Sequence, residues 1–460
     1  MAILSVVIND DENNDITFEY LPVNLKEVFQ EESSPTSVFF VRPCYKEAYQ
    51  RIDEIFSGNE QNLNIALSGT PGIGKSSFII YLIWTLLHVK EKKITRIVLQ
   101  TTAFVVLLDL ESITTTDDPT LVKNALFTIG TLHVADGRIS LMSNNRIPTL
   151  WISSPRWDNF KHFQFKEMES SHLLYLPVWN WNEIHCLLKM SSNMFNKEII
   201  KEKFMIFGGN LRSLTKVKTT LDFLNGKIVD CSIEQVFRQA LIKTYKFEHS
   251  HYLIHMVVKN LSLIGMTFAS DYVAVKLWEK HEQFLLQKLK ELVVSTSNDP
   301  IFYPLFERFG HAWLRRGTPR SITCRSLEND KEEEHILPHI KNTMSFDKTE
   351  NILTEIKDNI YYVPSICNFD GIDSLSSLGM FQFTVSTTHS IRGVHLLSQL
   401  TNLYKTKPVP FYFIVPMEHY KDFKKQAIKS GNKIARRILN IHQYVVGIDL
   451  NVDDILSNHI

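Results

Sequence analysis

The residues with the clearest chemical potential lie between Gly69 and Ser76, which read G-T-P-G-I-G-K-S. This spacing matches G-x-x-x-x-G-K-[ST], in which glycines let the backbone curl so that N–H groups face phosphate oxygens. Lys75 is expected to reach the β- and γ-phosphates, and Ser76 to hold Mg²⁺. An apolar strand precedes the motif and an apolar helix follows it, as a nucleotide phosphate site requires. The predicted nucleotide-binding residues are Gly69, Thr70, Pro71, Gly72, Ile73, Gly74, Lys75, Ser76 and Ser77.

A magnesium site also needs a carboxylate at the end of a neighbouring strand. Asp109 closes the stretch FVVLLD, and Asp136 closes TLHVAD. Asp109 has the more hydrophobic strand before it, but the strand after Asp136 ends in WISSP, where Ser153 or Ser154 could contact a γ-phosphate. This order favours Asp136. Asp109 remains the alternative candidate for the magnesium-site carboxylate. If it has no catalytic role, it is expected to cap a helix.

An arginine follows a glycine turn at the start of a helical segment, at Arg212 in FGGNLRSL. A guanidinium at such a place can stabilise phosphate charge and report on it to the next domain. The competing interpretation is a solvated surface arginine.

A second group of polar residues lies near the C-terminus, in FDGIDSLSSLGMFQFTVS. Asp373 is followed nine positions later by Gln382, and strand alternation puts Gln382 and Thr384 on one face. An Asp and a second oxygen ligand on adjacent strands can hold a Mg²⁺ that activates water against a phosphodiester. This is the logic of PD-(D/E)xK nucleases, although Gln382 and Thr384 stand where that motif has an acid and a lysine. The alternative is a β-hairpin with a polar face.

Composition excludes several classes of protein. The 460 residues include 50 Lys plus Arg and 50 Asp plus Glu, so the formal net charge is zero and any nucleic-acid site must be a local patch. The five cysteines form no C-x-x-C pair, which argues against a disulfide framework and a structural zinc site. No apolar run reaches the roughly 18–20 residues of a membrane span. No conventional signal peptide is evident either. No membrane partner is expected.

Patterns along the chain predict an α/β protein of several domains. Residues 1–37 are expected to be an N-terminal appendage. Alternating apolar strands and helical stretches predict a parallel-sheet P-loop domain over 38–228. Residues 229–342 are expected to form a mainly helical connector, and 343–460 a small second α/β domain.

The chain resembles the Crinkler and retrotransposon hot spot family, which joins a P-loop NTPase of the ASCE/AAA-like class to a restriction-endonuclease-like domain. The resemblance spans about residues 38–450 and depends on the order of many short motifs. These motifs are FVRPCYKEAY, SGTPGIGKS, VADG, ISSP, YLPVWNWNEI, FGGNLRSL, FASDYVAVKL, FERFGHAWL, FDGIDSL, FQFTVSTTHSI, FYFIVP and HQYVVGI.

The resemblance implies roles for individual residues. Asp136 would take the Mg²⁺ and water-polarising role, Ser154 the sensing role, and Arg212 the G-G-x-x-R position. The nuclease-like site would consist of Asp373 and Gln382 as metal ligands, with Thr384 and His389 beside them. Few residues precede VRPCY, so the family's N-terminal header is expected to be truncated or absent. Family members act in nuclei, which implies a nuclear location, in a host cell if the protein is secreted, or else a cytoplasmic one.

Two functions follow as hypotheses. In the first, ATP or GTP hydrolysis controls a metal-dependent nuclease-like domain that acts on DNA. In the second, the protein is a nucleotide-switched DNA- or partner-binding protein whose nuclease fold is inactive. A pure NTPase motor would need helicase motifs that the sequence lacks. Self-association into a homo-oligomer is compatible with either hypothesis.

Overall fold

This computed structural model describes most of the chain in fifteen stretches. The described residues are 4–9, 15–23, 37–57, 64–89, 93–137, 141, 147–154, 171–190, 195–242, 250–294, 299–315, 319–346, 355–364, 371–429 and 439–449. The chain divides into two compact units, Met1–Ala269 and Ser270–Ile460.

The N-terminal part of unit 1 is a three-stranded antiparallel sheet. Its strands are β1 (Leu4–Asn9), β2 (Asp15–Val23) and β3 (Ser37–Val41), in that spatial order. The expected appendage over 1–37 therefore contributes two strands to a sheet that β3 completes. Helix α1 (Pro43–Ser57) follows β3 after a single residue, Arg42.

The larger sheet of unit 1 has seven strands, in the order β10-β4-β9-β8-β5-β6-β7. They are β4 (Asn64–Ser68), β5 (Arg96–Gln100), β6 (Val105–Asp109), β7 (Thr114–Thr116), β8 (Thr131–Asp136), β9 (Thr149–Ile152) and β10 (Ser171–Tyr175). The strands from β10 to β5 are parallel to one another, whereas β6 and β7 pair antiparallel. Strands β8 and β9 are buried almost throughout, as expected of parallel strands with both faces covered. The predicted α/β fold with a parallel sheet is confirmed for this unit.

Helices and one hairpin complete unit 1. The helices are α2 (Phe78–His88), α3 (Pro119–Ala125), α4 (Trp181–Met190), α5 (Lys197–Phe207), α6 (Leu211–Thr215), α7 (Leu221–Asp230) and α8 (Ile233–Ile242). Polar side chains cap the helix starts: Asp118 accepts from two N–H groups of α3, and Asn196 does the same for α5. The hairpin of β11 (Ile254–Lys259) and β12 (Ser262–Phe268) ends this unit.

Unit 2 begins with two helices, α9 (Asp271–Val294) and α10 (Phe302–Leu314). An eight-stranded mixed sheet follows, in the order β14-β13-β20-β19-β18-β17-β16-β15. Its strands are β13 (Arg320–Ser326), β14 (Glu332–Leu337), β15 (Asn342–Phe346), β16 (Ile360–Pro364), β17 (Ser374–Ser376), β18 (Gly379–Phe383), β19 (Val409–Pro416) and β20 (Ile441–Ile448). Helix α11 (Val394–Asn402) connects β18 to its parallel neighbour β19, and α12 (Met417–Tyr420) follows β19.

The core of unit 2 lies between this sheet and α11. Leu397 and Leu400 of the helix pack with Phe411, Phe413 and other buried apolar side chains of the central strands. A parallel β18–α11–β19 crossover explains why FQFTV and FYFIVP are so apolar, since both strands are almost entirely buried.

The segment 229–342 differs from its expected form. It contains α8, α9 and α10, but also the β11–β12 hairpin and the strands β13 and β14. The division between the compact units falls inside it, at Ala269. The helical periodicity of this segment corresponds to helices in the structure. Strand β13, in contrast, pairs with the distant strand β20, and such a contact cannot be predicted from the local sequence pattern.

Candidate functional site

The phosphate-loop sequence occupies the turn between β4 and α2. Gly72 and Gly74 have φ values of 86° and 97°, a conformation that glycine adopts without steric cost. The Lys75 ammonium is buried and donates to the carbonyl oxygens of Gly69 at 2.8 Å and Thr70 at 3.0 Å. The sequence motif therefore forms a curled loop with the lysine at its centre.

Burial and two charged neighbours determine the pKa of Lys75. Burial lowers the pKa of the ammonium to about 7, and the nearby Arg212 guanidinium acts in the same direction, while Asp136 partly offsets them. A site that holds two cations close together favours a polyanion between them, since an anion would relieve their repulsion.

An open cavity of about 470 Å³ lies over the loop. Its lining combines the loop with the ends of two strands and with one side of the short helix α6. The lining residues are Pro71, Gly72, Gly74, Lys75, Ser76, Ser77, Asp136, Gly137, Ile152, Ser153, Ser154, Leu211, Arg212 and Thr215. Gly69, Thr70 and Ile73, also expected at the nucleotide, lie in the same loop but outside this lining. The buried Thr70 hydroxyl instead accepts from the Met256 N–H of β11 at 3.1 Å.

Sheet topology separates the two candidate carboxylates. Strand β8 is parallel to β4 and β9, so Asp136 lies at the same sheet edge as the phosphate loop and lines the cavity. Strand β6 runs antiparallel to β5, so Asp109 lies beside Arg96 at the other edge, with 3.5 Å between Nε and Oδ2. Asp109 caps a turn there by accepting from the N–H groups of Glu111 and Ser112.

The two serines after β9 have different surroundings. Strand β9 lies between β4 and β8, so its end is the part of the sheet nearest to both the loop and Asp136. Ser153 is buried, and its N–H donates to the Leu67 carbonyl of β4 at 3.1 Å. Ser154, the residue predicted to sense the γ-phosphate, is partly exposed and lines the cavity.

Arg212 reaches the cavity because its segment is attached to the phosphate loop. Its N–H donates to the Gly72 carbonyl at 3.1 Å, and Asn210 caps α6 by accepting from the Ser213 N–H. At Gly209 the backbone passes so close to Trp179 that a side chain would overlap its carbonyl oxygen. The glycines of FGGNLR therefore bring the arginine to the loop, where its side chain lines the cavity and is also exposed to solvent.

In unit 2, the predicted nuclease-like residues cluster around β18. The Asp373 carboxylate accepts from the Phe383 N–H at 2.6 Å, which places it between the positions of Gln382 and Thr384. The Gln382 amide nitrogen lies 2.8 Å from His389 Nε2, so this imidazole nitrogen is the acceptor. The Thr384 hydroxyl donates to the Ser386 carbonyl, and it caps a turn by accepting from the Ser386 N–H.

Helix α10 adds a carboxylate that the sequence patterns did not indicate. Gly310 allows α10 to approach β18 so closely that any side chain at this position would overlap the Phe383 ring. One turn earlier, Glu307 forms an ion pair with Arg308 and lies 3.4 Å from His311 Nε2. Its only sequence signal is that FERFGHAWL belongs to the family-like motifs.

Charge in this cluster shifts the acidity of both carboxyl groups. Burial and the neighbouring Glu307 carboxylate raise the pKa of Asp373 well above its ordinary value. Burial also acts to raise the pKa of Glu307, but the opposite effects of Arg308 and His311 are larger. The pKa of Glu307 therefore lies below its ordinary value. Two adjacent carboxyl groups with opposite shifts are typical of functional sites.

The two predicted metal sites differ in how well their residues suit a cation. Ser76 and Asp136 line one cavity, and few protein ligands suffice because Mg²⁺ bound with a nucleotide keeps waters and phosphate oxygens as ligands. In unit 2 the Gln382 Oε1 atom is buried without a hydrogen-bond partner, as a ligand oxygen could be. Within the described residues, however, no three His, Cys, Asp or Glu side chains are grouped so that they could hold a metal ion.

These features define unit 1 as a mixed α/β module built around a phosphate-loop sequence. No family model matches the chain. Two curated proteins of Phytophthora infestans, Crinkler effector protein 15 and Crinkler effector protein 16, are each 24% identical to it, over 414 and 412 residues. The match covers 83% of this chain but 64% of each relative, so the chain spans less than two thirds of their length. The chain is thus a distant relative of Crinkler effector proteins over most of its own length.

Solved structures show only weak similarity. The Aeropyrum pernix ORC2 protein in its ADPNP–ADP complexes matches 48% of this chain and 72% of its own, at 12% identity and a TM-score of 0.28. The ADP form of the same protein matches 63% of this chain and 84% of its own, at 13% identity and a TM-score of 0.30. The Thermotoga maritima RuvB Holliday junction branch migration motor matches 64% of this chain and 92% of its own, at 11% identity and a TM-score of 0.24. Scores this low support no inference about this chain.

None of the helices in the described part of the chain combines the length and apolarity needed to cross a bilayer.

Proposed function

We propose that this protein is a nucleoside triphosphatase whose nucleotide state controls a C-terminal domain that acts on DNA. The observation that carries the first half is the single cavity lined by Lys75, Ser76, Asp136, Ser154 and Arg212. These residues come from four separate parts of the chain, yet all line one cavity above the phosphate loop.

Each of these residues has a distinct role in the proposal. Lys75 and Arg212 stabilise the negative charge of the transferring phosphoryl group, and Ser154 contacts the γ-phosphate. Asp136 orients the attacking water. Ser76 and Asp136 are the residues that would hold Mg²⁺, which supplies further charge neutralisation on the phosphates when bound.

Hydrolysis of ATP and of GTP with Mg²⁺ tests this half. We expect Lys75→Ala and Asp136→Asn each to lower kcat/KM by about 100-fold or more, the usual effect of removing a charged group that stabilises the transition state. Asp109→Asn is the matched control, because this strand-end carboxylate lies at the opposite sheet edge. Turnover unchanged in Lys75→Ala, or lost in Asp109→Asn, would refute the assignment.

The second half of the proposal concerns unit 2. It starts from the distant similarity to Crinkler effector proteins and goes beyond it. Asp373, Glu307 and the unpaired Gln382 Oε1 support a metal-dependent site for phosphodiester cleavage. The observation that favours an inactive, DNA- or partner-binding domain is the residue set itself, since Gln382 and Thr384 replace the acid and the lysine of the nuclease motif. Action in a nucleus and self-association belong to the same proposal.

Plasmid nicking with Mg²⁺, measured with and without nucleotide, separates these two alternatives. An active nuclease requires nicking that Asp373→Asn abolishes, and nucleotide control requires that Lys75→Ala alters the rate. Asp373→Asn is preferred to Asp373→Ala because the amide still accepts from the Phe383 N–H. Equal, background nicking by wild type and variant, together with retained DNA affinity, would establish the binding alternative.

A further inference from the structure

Two family-like motifs without an assigned role meet beneath the phosphate loop. Arg42 and Tyr45 come from FVRPCY, and Trp179 and Glu183 come from LPVWNWNE, more than 130 positions further along the chain. All four side chains are buried, Arg42 completely. A buried guanidinium is costly unless it is paired, so this arrangement requires a physical reason.

The polar atoms of three of these side chains converge on two carbonyl groups of the loop. Trp179 Nε1 donates to the Ile73 carbonyl at 2.8 Å, and Arg42 Nη1 approaches the same oxygen at 3.3 Å. The Tyr45 hydroxyl donates to the Gly74 carbonyl at 2.7 Å. Ile73 and Gly74 are the two residues that directly precede Lys75.

Peptide geometry makes these contacts relevant to phosphate binding. In a trans peptide the C=O and the following N–H point in opposite directions. Donors that hold the Ile73 and Gly74 carbonyls on one side therefore direct the N–H groups of Gly74 and Lys75 to the other side. Gly74 and Lys75 line the cavity on that side.

Glu183 explains how the charge of Arg42 is retained. It accepts from Arg42 Nε and Nη2, both at 3.0 Å, in a bidentate pair. Glu183 also caps α4, because its Oε2 atom accepts from the Asn180 N–H while the Asn180 side chain accepts from the Glu183 N–H. The guanidinium stacks on the Trp179 ring at 4.5 Å and donates to the Pro177 and Val178 carbonyls. Arg42 thus fixes Trp179 and the chain before α4 relative to the loop.

We propose that Arg42, Tyr45 and Trp179 are positioning residues that hold the loop carbonyls and so preorganise the N–H groups of Gly74 and Lys75 for a phosphate. This inference relies on nucleotide binding at the loop, and it assigns a role to the two motifs on either side of it.

The test compares Tyr45→Phe and Trp179→Phe with the controls Tyr49→Phe and Trp181→Phe. Each variant removes one donor and keeps an aromatic ring. Tyr49 lies on α1 one turn beyond Tyr45, where its ring packs on Tyr81, and Trp181 packs on Phe204. Without the hydrogen bond, worth about 1 kcal/mol, the loop must be ordered when the nucleotide binds, and a cost of that size corresponds to about a fivefold change in Kd. We therefore expect each test variant to bind nucleotide about fivefold more weakly and to show a lower kcat, with the controls unchanged.

Two further measurements exclude a merely structural effect. The unfolding temperature without nucleotide should fall by no more than about 2–4 °C in Tyr45→Phe, which removes one hydrogen bond and keeps the ring. Amide hydrogen exchange at residues 74–76 should be faster in both test variants and not in the controls.

The outcomes are distinguishable. Wild-type nucleotide affinity and exchange in both test variants would overturn the inference while leaving the proposed function intact. Absence of nucleotide binding by the wild type would overturn both.

Discussion

The surroundings of Lys75 disfavour the positively charged form of its side chain. Burial and Arg212 lower its pKa to about 7, so in the free protein at pH 8 most molecules carry a neutral amine at this position. A bound triphosphate brings several negative charges beside the ammonium and raises its pKa again. If the loop binds nucleotide as proposed, binding and protonation of Lys75 are therefore coupled.

The coupling predicts proton uptake of up to one proton on nucleotide binding at pH 8. It also predicts that affinity weakens as the pH rises above about 7, because more of the free protein must then acquire a proton. Titration calorimetry in two buffers of different ionisation enthalpy measures the uptake. Lys75→Arg is the control, because a guanidinium stays charged and takes up no proton. Any protonation change of the nucleotide itself occurs with both proteins. Equal uptake by wild type and Lys75→Arg would contradict this explanation.

At the scale of elements, the phosphate loop is held by segments other than its own strand and helix. The start of α6 attaches at Gly72, the β11 hairpin at Thr70, and the residues around α1 and α4 at Ile73 and Gly74. A loop held from three directions needs little reorganisation when a ligand binds, so its contribution to affinity depends on elements distant in sequence.

Gly72→Ala should separate α6 from the loop. The φ value of 86° disfavours alanine, and the added methyl group would overlap Asn210 Oδ1 and lie 2.9 Å from Arg212 Cβ. We expect lower stability, by about 1–2 kcal/mol from the backbone alone, and weaker nucleotide binding because Arg212 is displaced. Calorimetry and urea unfolding measure the two effects.

Gly226→Ala is the matched control for that variant. Gly226 lies inside α7, and a methyl group there meets nothing within 4 Å, so the change should stabilise the protein by up to about 1 kcal/mol and leave affinity unchanged. Full nucleotide affinity in Gly72→Ala would show that α6 does not position Arg212.

At the scale of the whole molecule, buried histidines couple folding to pH in both units. Burial lowers the pKa of His133, His255 and His311 to about 4 each. Between about pH 6.5 and 4 the unfolded chain therefore binds more protons than the native state. The stability from neutral burial is present above pH 6.5 and is lost as the pH falls through 4.

His133 offers a direct test of this acid sensitivity. Both of its ring nitrogens are buried without a hydrogen-bond partner, so His133→Leu sacrifices no bond. The loss of unfolding free energy between pH 7 and pH 5 should shrink by about 2 kcal/mol in this variant. Urea unfolding at the two pH values measures it, with the exposed His88→Leu as the control. An unchanged pH difference would mean that His133 is not buried in its neutral form.

The amino-acid sequence by itself determined the local features of this protein. Contiguous residues specify the phosphate loop, because its three glycines accept positive φ values and its lysine follows at a set distance. The same holds for the apolar strands β4, β8 and β9 and for the turn that brings Arg212 forward. Short-range rules of this kind also indicated a parallel α/β sheet, and the structure confirms it.

Tertiary structure decided which residues meet. Asp109 and Asp136 both end apolar strands, but the place of β6 in the sheet and its antiparallel direction carry Asp109 away from the loop. Glu307 joins Asp373 because Gly310 lets α10 lie against β18, and Arg42 joins Glu183 across 141 positions. Strand direction and helix approach depend on contacts between distant segments, whose energies no single stretch of sequence contains.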